Sequence, residues 1–477
     1  MAAIGRGART GATAWWRLAA RPQVRIGQCW RSTRASSSSS GGGPSEASPA
    51  PSQPLPPLFD LSSAPGPRPG DAAVLAMSGG VDSSVAALLA LQQGLVPRPL
   101  FMRNWNELDE SGTFEPGAGG ATGCTWMKDW EGVQQTCAAL GLGRDSAELL
   151  DLSKDYWLSV FQPALEAWER GETPNPDVGC NREIKFGALM DRVLPAPAAT
   201  APDAFGRRPA KTWLVTGHYA RVSWRQADGA WQAQLSRARD RNKDQSYFLS
   251  SVSPERLAQA HFPLSDLLKT EVRDIARRYL LPAAEKEESM GLCFVGERPR
   301  PADAAAAVRQ PLPRNVPPAV SGGAFGAFLA SYLTPVPGPI LDPAGKQVGT
   351  HAGLHSLTVG QRARVPGAPS AWFVARKDAA SNAVHVVAGG DHAALYARSL
   401  RIERMTWLGP PRTGTLLAQV RHRGDEVACE VLPAGDGVHV CFPTPVLAVA
   451  PGQVCALYDG DVCVGSGVIA TVQTLQQ

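Results

Sequence analysis

Apolar and polar positions in the first half of the chain follow a repeated order of strand, turn and helix. Residues 72–77 (AAVLAM) form an apolar run that suits a buried parallel strand, and residues 85–94 (VAALLALQQG) have the pattern of a helix that ends in glycine. Similar patterns alternate further along, with strands predicted at 98–102, 147–152 and 213–217 and helices at 128–141 and 156–170. This alternation predicts an α/β domain with a doubly wound parallel sheet over about residues 71–220.

The pattern changes twice towards the C-terminus. Residues 253–281 have a helical pattern, most clearly in TEVRDIARRYL, whereas beyond about residue 335 short strand patterns are separated by glycine and proline turns. These later segments predict one or two small β-domains that follow the α/β domain. A chain of 477 residues is long enough for two or three domains.

The N-terminal segment differs in composition from the rest of the chain. Residues 1–45 contain seven arginines and no acidic residue, and a run rich in serine, glycine and proline continues to about residue 70. An N-terminus rich in arginine and serine and poor in acids is typical of an organellar transit peptide. We therefore expect residues 1–70 to be a transit peptide and linker that direct the protein to a mitochondrion or a plastid. A disordered tail from a composition-biased genome is the alternative interpretation.

The net charge of +4 comes from this N-terminal segment. Residues 1–70 carry eight arginines and two acids, so the remainder, with 39 basic and 41 acidic residues, has a net charge of −2. Nucleic-acid binding would therefore depend on local basic patches. No apolar stretch approaches 18 residues, so no membrane-spanning helix is predicted. The nine cysteines include no CxxC pair and no Cys/His quartet with zinc spacing, so each is judged singly.

The glycine turn at residues 78–84 (SGGVDSS) has the chemistry of a phosphate-binding loop. It lacks a Walker lysine, but its glycines let backbone N–H groups approach an anion, and the next helix points its positive end there. Ser78, Ser83 and Ser84 add hydroxyl groups, and Asp82 could cap the helix or help to hold a magnesium ion. The alternative is an ordinary βα turn. The complete motif between an apolar strand and a helix is the signature of ATP pyrophosphatases, which adenylate a substrate and release pyrophosphate.

Two cysteines are candidates for chemistry. Cys180 lies in TPNPDVGCNREIKFG, where two prolines keep the approach extended and the following residues suit a first helical turn. A thiol near the positive end of a helix ionises more easily, which favours a nucleophile over a space-filling residue. Cys293, in EKEESMGLCFVGE, has apolar neighbours and by itself fits better with a buried structural cysteine, the commoner fate of such residues. Together with an adenylating loop, two such thiols suit ATP-driven sulfur insertion, where one carries a persulfide and the other resolves it.

The chain resembles the tRNA-specific 2-thiouridylase family, whose members thiolate C2 of the wobble uridine of tRNA. The shared motifs occur in order over about residues 72–470: SGGVDSS, LFMRNW, NPDVGCNREIKFG, TGHYAR, KDQSYFL, GLCFVGE, GAFLASYL, GTHAGLHSLTVGQR and APGQVCALYDGDVCVGSG. LFMRNWNELDESG is closer to the mitochondrial members. The chain departs from many members at Met290, where EESMGLC replaces a KDSQGIC-like run.

This resemblance implies a three-domain architecture. An ATP-pyrophosphatase α/β domain with a helical tRNA-contact part would occupy residues 71–285. A small central β-containing domain would follow at 286–395, and a C-terminal β-barrel at 396–477.

The resemblance also implies roles for individual residues. Cys180 would be the first catalytic cysteine, Cys293 the persulfide carrier and Asp177 a general acid or base, although outside this context Asp177 would be a turn cap. Residues implied to bind ATP are Ala76, Met77, Ser78, Gly79, Gly80, Val81, Asp82 and Ser83 at the phosphates, and Met102 and Gly217 at the adenine and ribose. Residues implied to contact tRNA are Asn175, Pro176, Asp177, Lys243, Asp244, Gln245, Arg421 and His422. From the residues alone, SRARDRNKDQ (Ser236 to Gln245) and VRHRGDE (Val420 to Glu426) are the densest basic patches and the best candidates for phosphate contacts.

The implied reaction is ATP-dependent 2-thiolation of the wobble uridine in tRNAs of the Lys, Glu and Gln type. Adenylation would turn uridine O2 into a good leaving group, a Cys293 persulfide would attack C2, and a Cys180–Cys293 disulfide would remain. Release of hydrosulfide by Cys180 is an alternative step. We expect ATP and Mg²⁺ as cofactors, a persulfide donor such as a cysteine desulfurase or relay protein, no membrane partner, and a monomer. The competing hypotheses are another ligase with this loop, which would not need two cysteines, and a non-catalytic tRNA-binding protein.

Overall fold

The structure is a computed structural model that describes residues 65–105, 125–195, 210–227, 229–287, 328–330, 332–363, 365 and 370–476. The predictions about Cys293, Met290 and the transit segment up to residue 64 lie outside these residues. None of the helices within the described ranges is long and apolar enough to cross a membrane.

A five-stranded parallel sheet forms the N-terminal domain, as the alternating sequence pattern predicted. Its strands lie in the order β3-β2-β1-β4-β7. Val74 and Leu75, which point to opposite faces of β1, are each 1% exposed, so the central strand is buried on both sides. The chain leaves β1 towards β2 on one side and later returns to β4 on the other. The loops after β1 and β4 therefore border the crevice in which such sheets bind ligands. The strands are β1 (Ala72–Met77), β2 (Val96–Arg103), β3 (Glu148–Asp151), β4 (Thr212–Val215) and β7 (Ala260–His261).

Helices cover this sheet, and one predicted helical region is partly a strand. The prediction of helix throughout 253–281 is wrong at β7, because Ala260 and His261 pair with Leu214 and Val215 at the edge of the sheet. The helices are α1 (Val81–Gln92), α2 (Thr125–Ala139), α3 (Ser153–Tyr156), α4 (Gln162–Glu169), α5 (Pro176–Gly179), α6 (Leu189–Val193), α7 (Ser246–Leu249), α8 (Pro254–Leu257) and α9 (Lys269–Arg278). Wider π-helical segments at Trp157–Phe161 and Cys180–Ala188 connect α3 to α4 and α5 to α6.

The central domain contains a second five-stranded sheet, in the order β10-β11-β12-β8-β9. Its core is built from apolar residues of alternating strand positions, including Ile340, Val374, Val384 and Val386. This confirms the prediction of a small β-containing domain after the α/β domain. The strands are β8 (Gly338–Leu341), β9 (Gln347–His351), β10 (Arg362–Ala363), β11 (Trp372–Asp378) and β12 (Ala383–Ala388).

The C-terminal domain is a closed antiparallel barrel, as predicted. Its six strands follow the order β13-β16-β15-β14-β17-β18, and pairing between β13 and β18 closes the ring. A hairpin from the N-terminal domain, β5 (Arg221–Ala227) and β6 (Ala230–Ser236), joins β18 through the Val462–Ser236 pair. The sequence analysis did not predict this hairpin. The barrel strands are β13 (Tyr396–Trp407), β14 (Gly414–Gln419), β15 (Val427–Ala434), β16 (Gly437–Leu447), β17 (Val454–Asp459) and β18 (Val462–Thr474).

Candidate active site

The glycine loop after β1 is held in place by close backbone contacts. Gly79 has a φ of +71°, and a Cβ atom there would lie 2.4 Å from the carbonyl oxygen of Asp129 in α2. A Cβ atom on Gly217, which follows β4, would lie 2.8 Å from the backbone nitrogen of Ser83. Both glycines are therefore required by packing. Gly217, expected beside the nucleotide, lies directly against the first turn of α1.

Hydroxyl groups shape the turn from within. Ser83 Oγ accepts a hydrogen bond from the backbone N–H of Ser78 at 3.1 Å and donates to the carbonyl of Gly80 at 3.0 Å. Ser84 Oγ donates to the same carbonyl at 2.9 Å. The first N–H groups of α1, from Val81 onwards, have no carbonyl one turn earlier to bond. These N–H groups, at the positive end of a 12-residue helix, fit the phosphates of a nucleotide.

Asp82 does not cap α1, so that part of the prediction is wrong. The N-cap residue is Gly80, and no side chain bonds the first turn as a cap. The carboxylate of Asp82 instead accepts hydrogen bonds from Lys269 Nζ, at 2.7 Å to each oxygen, and from the hydroxyl of Tyr219 at 2.8 Å. Any metal ion held by Asp82 would share its carboxylate with this lysine.

Lysines from distant parts of the chain surround the loop. Lys286 Nζ donates to the carbonyl of Gly79 at 3.2 Å and forms an ion pair with Asp129 at 2.6 Å. Lys269 approaches from the start of α9. Sequence analysis missed both residues, because nothing in their local sequence relates them to a loop roughly 200 positions earlier. Each lysine is paired with a carboxylate, Lys269 with Asp82 and Lys286 with Asp129, so both act mainly by holding the loop in place.

Met102 and Gly217, predicted at the adenine and ribose, lie near the ends of β2 and β4, and the phosphate residues Ala76 and Met77 end the strand between them. Met77 ends β1 and is 3% exposed, and its partner across the strand pair is Phe101. Met102, near the end of β2, is half-buried and packs against the main core. Ala76, one residue before Met77, is also partly buried. Met102 and Gly217 thus lie on opposite sides of β1 at its carboxyl end.

The helix that carries Cys180 begins earlier than predicted. Asn175 is its N-cap, and the Asn175 side chain accepts a hydrogen bond from the backbone N–H of Val178 at 3.4 Å. Cys180 lies one turn further along, and its own N–H bonds to the carbonyls of Pro176 and Asp177. The expectation that the first helical turn follows Cys180 is therefore wrong. Its side chain is 3% exposed, so the thiol is closed off from solvent in this conformation.

Polar residues collect around the Cys180 thiol. Asn104, at the end of β2, directs Nδ2 towards Cys180 Sγ at 3.9 Å. Asp177 precedes Cys180 by three residues and so lies on the same face of the helix. Burial raises the pKa of the Asp177 carboxyl, and the nearby positive charge of Lys185 opposes this effect. The raised pKa makes Asp177 a stronger base than an ordinary aspartate.

Lys185 connects this cluster to the end of β4. Burial is the main cause that lowers the pKa of His218, and the charge of Lys185 lowers it further. His218 is buried and Nδ1 lies 2.6 Å from the hydroxyl of Thr216, so the ring is neutral at pH 7. Phe186, the residue after Lys185, packs against the ring of His218 with ring centroids 5.8 Å apart, so the cysteine helix and the Gly217 loop meet at one edge of the sheet. Asn104 lies in the motif LFMRNW and His218 in TGHYAR, but the sequence analysis predicted no role for either residue.

Part of the predicted tRNA contact surface is buried. Asp244 is 8% exposed, and its carboxylate accepts hydrogen bonds from the backbone N–H of Ala238 at 2.8 Å, from Ser246 Oγ at 2.6 Å and from Arg237 at 3.3 Å. Arg237 is 5% exposed and stacks over the ring of Tyr458 at 3.6 Å. The side chains of Asp244 and Arg237 thus make contacts within the protein, and tRNA contact by these two residues stays a prediction. Both residues join the N-terminal domain to the barrel.

The other predicted contacts lie close to one another. Gln245 bonds the backbone of Tyr219, and Phe248, three residues later, packs on His422 with ring centroids 4.2 Å apart. Arg421, next to His422, is exposed, and no carboxylate pairs with it among the described residues. Lys243 is half-buried in the same segment as Gln245. The structure thus brings the 243–245 segment and the 421–422 turn to one surface, although they are far apart in sequence.

The segment before Asn175 is fixed by all three domains. The N–H of Thr173 donates to the carbonyl of Pro451 in the barrel at 2.9 Å, and Gln453 Nε2 donates to the carbonyl of Thr173 at 2.8 Å. Lys377 of the central domain inserts its amine between the carbonyls of Glu172 at 3.4 Å and Leu357 at 2.9 Å. Asn175, Pro176 and Asp177 therefore follow a segment whose position depends on domain assembly.

Comparison with known proteins agrees with this architecture. Residues 71–297 match the family model described as the tRNA methyl transferase HUP domain. Residues 326–388 match the tRNA methyl transferase PRC-barrel domain, and residues 397–469 match the aminomethyltransferase beta-barrel domain.

Full-length relatives cover nearly the same span. The tRNA-specific 2-thiouridylase MnmA of Cupriavidus metallidurans is 39% identical over 410 residues, which is 84% of this chain and 99% of that protein. The proteins of the same name from Ralstonia nicotianae and Pseudomonas aeruginosa are each 38% identical, over 85% and 86% of this chain and 97% of their own lengths. On this evidence the chain belongs to the tRNA-specific 2-thiouridylase MnmA family.

Proposed function

We propose that the protein catalyses ATP-dependent 2-thiolation of the wobble uridine in tRNAs of the Lys, Glu and Gln type. The observation that carries the proposal is the position of Cys180. Its thiol lies 3.9 Å from Asn104 Nδ2, which follows β2 at the same edge of the parallel sheet as the glycine loop, and Asp177 is one helical turn earlier. A nucleotide bound at that loop and a base bound at Cys180 would be neighbours.

The nucleotide half of the site would hold ATP through its phosphates. Ser78 to Ser83 supply backbone N–H and hydroxyl groups, and Lys269 and Lys286, each paired with a carboxylate, hold the loop in shape. Mg²⁺ would accompany the phosphates and reduce their charge when bound. These groups would stabilise the charge that develops on departing pyrophosphate.

Asp177 and Cys180 would act on the base. Asp177 takes the proton from N3 of uridine as O2 attacks the α-phosphorus, and pyrophosphate leaves. The terminal sulfur of a Cys293 persulfide then bonds C2, and AMP departs. The Cys180 thiolate attacks Sγ of Cys293 and breaks the sulfur–sulfur bond, so the outer sulfur stays on C2 while the proton returns to N3. An external thiol finally reduces the Cys180–Cys293 disulfide and is itself oxidised to a disulfide.

The remaining parts of the proposal concern partners and location. Arg421, Lys243 and Gln245 would contact the tRNA backbone, and a persulfide donor would recharge Cys293. Residues 1–70 would direct the protein to a mitochondrion, or alternatively a plastid. Fusion of this segment to a fluorescent protein tests the predicted localisation. Diffuse cytosolic fluorescence would contradict it.

The decisive experiment is nucleoside mass spectrometry of unmodified tRNA for Lys, Glu or Gln after incubation with protein, ATP-Mg and a persulfide donor. Wild type should form 2-thiouridine, and Cys180→Ser and Cys293→Ser should form none. Cys441→Ser is the matched control, because Cys441 is half-buried in the barrel and has no place in the reaction. It should retain wild-type activity.

The outcomes separate the competing functions. Thiolation by either active-site serine variant would refute the two-thiol mechanism. Pyrophosphate release without thiolation would indicate a different ligase on the same fold. Binding of tRNA without any pyrophosphate release would favour a non-catalytic binding protein.

A further inference from the structure

A cleft opens where the three domains meet, next to the start of the Cys180 helix. Its volume is about 330 Å³, and Pro174, Asn175 and Pro176 form one wall. The central domain contributes His355 and Thr358, among others, and the barrel contributes Gln453. The volume lies near the lower end of the range of small-ligand cavities, roughly 300–1,000 Å³, and so suits one compact ring system.

The groups that line the cleft offer hydrogen bonds without net charge. Glu172 is the one carboxylate in the lining, and it is already paired with Arg170 at 2.8 Å. His355 is neutral, because burial and then the nearby Lys377 lower its pKa. Hydroxyl and amide groups make up the rest of the polar lining, including Thr358 and Gln453. A lining of this kind has no positively charged group that could bind a phosphate. It also has more polar groups than an aliphatic ligand could hydrogen-bond.

Rings also border the cleft. Trp168 and His355 both contribute to its surface. Flat rings with neutral amide and hydroxyl groups form the combination by which proteins bind an unstacked nucleobase, through stacking and through hydrogen bonds to the edge of the base.

The cleft is built before any ligand arrives. The amine of Lys377 donates to Leu357 O at 2.9 Å and lies within 3.5 Å of Thr173 Oγ1, so it ties two walls together from behind. Gln453 holds the carbonyl of Thr173 at 2.8 Å and ties in the barrel. Preorganised walls lower the entropy cost of binding.

The position of the cleft relative to Cys180 limits what can occupy it. Pro176 lines the cleft, and Cys180 lies four residues further along the helix, a rise of roughly 6 Å. Stacked nucleotides of one strand are about 3.4 Å apart, and splayed ones are further apart. This rise is close to the spacing of neighbouring nucleotides, so a base in the cleft and a base at Cys180 can belong to adjacent nucleotides of one strand.

We propose that this cleft binds the nucleobase adjacent to the target uridine and so holds the anticodon loop open while the uridine is at Cys180. The assignment rests on the proposed function, since it takes tRNA as the substrate. The cleft would supply a second base contact, separate from the phosphate contacts near Arg421.

Binding of anticodon stem-loop RNA, followed by fluorescence anisotropy, tests the assignment without turnover. Three RNAs of the proposed lysine tRNA are compared: intact, abasic on the 5′ side of the target, and abasic on the 3′ side. Wild type should bind one of the two abasic RNAs about 10-fold more weakly than the intact RNA, which is typical of the loss of one stacked base. Equal affinity for all three RNAs would overturn the proposal.

Protein variants locate the contact. Thr358→Trp fills the cleft, and should bind intact RNA about 10-fold more weakly and lose the discrimination against the abasic RNA. Thr350→Trp, on an exposed position of β9 in the same domain, is the matched control and should behave as wild type. If Thr358→Trp does not fold, His355→Ala tests the proposal instead, because it removes one of the rings that border the cleft. Discrimination that persists at full strength in the cleft variants would refute the assignment.

Failure of this proposal can be told from failure of the proposed function. Discrimination between the RNAs without thiolation of full tRNA would support the cleft and refute the reaction. Thiolation without discrimination would support the reaction and refute the cleft.

Discussion

The contact between Gly452 of the barrel and the segment before Asn175 gives the sharpest test of how the site is positioned. Gly452 has a φ of +89°, and a Cβ atom there would lie 2.7 Å from the backbone nitrogen of Thr173 and 2.9 Å from Cβ of Glu172. Ordinary contact begins near 3.4 Å, so in Gly452→Ala the segment must move by roughly 0.7 Å. The hydrogen bond from Thr173 to Pro451 would be strained by the same movement.

Gly414 provides a matched control in the same barrel. Its φ is +90°, and nothing lies within 4 Å of the Cβ atom that alanine would add. Both alanine variants should lose about 1–2 kcal/mol of stability from the left-handed backbone alone. Gly452→Ala should lose about 1–3 kcal/mol more from overpacking. A shift of nearly 1 Å in a segment that leads to Asp177 and Cys180 should also lower kcat/KM about 100-fold.

The measurement is single-turnover thiolation of tRNA together with thermal unfolding of wild type and both variants. We expect Gly414→Ala to keep nearly full activity, and Gly452→Ala to lose activity well below its melting temperature. Equal activity in the two variants would refute the argument that the barrel positions the Cys180 helix through this contact.

Three further perturbations test other parts of the structure. Burial raises the pKa of Asp177, and its base form is the active one, so the thiolation rate should fall as the pH drops through that raised pKa. Asp177→Asn should abolish this inflection and slow the reaction roughly 10²–10⁴-fold. A pH profile that does not change in Asp177→Asn would exclude Asp177 as the base. Arg237→Met should destabilise the protein by about 3–5 kcal/mol in chemical denaturation, because Asp244 would stay buried without its positively charged partner. Arg239→Met, on the exposed surface, is the control and should destabilise the protein by less than about 1 kcal/mol. Similar losses of stability in the two variants would contradict the buried network. Arg421→Ala should weaken binding of all the tRNAs to a similar degree and reduce the slope of log K against log salt by about 1, and a selective effect on one tRNA would argue against a phosphate contact.

Local chemistry in the sequence was sufficient for the central elements. The apolar run of β1, the glycines after it and the helix of α1 are adjacent in sequence, so their pattern alone predicts a strand, a phosphate loop and a helix. The change to short strands after residue 335 likewise predicted one or two β-domains, and the structure has two. These features follow from periodicity and from the conformational freedom of glycine, both of which operate over a few residues.

Only the tertiary structure decided which charged groups are paired and which surfaces meet. Arg237 and Arg241 look alike in SRARDRNKDQ, yet Arg237 is buried against Tyr458 while Arg241 pairs with Asp461 at the surface. Lys269 reaches Asp82 from 187 positions away, and the cleft at Asn175 exists only because three domains converge there. The sequence around a charged residue does not indicate its ion-pair partner, because an ion pair depends on proximity in the folded chain and not on spacing along the sequence. The sequence by itself therefore determined the chemistry the protein carries, and the packing of its domains determined where that chemistry is assembled.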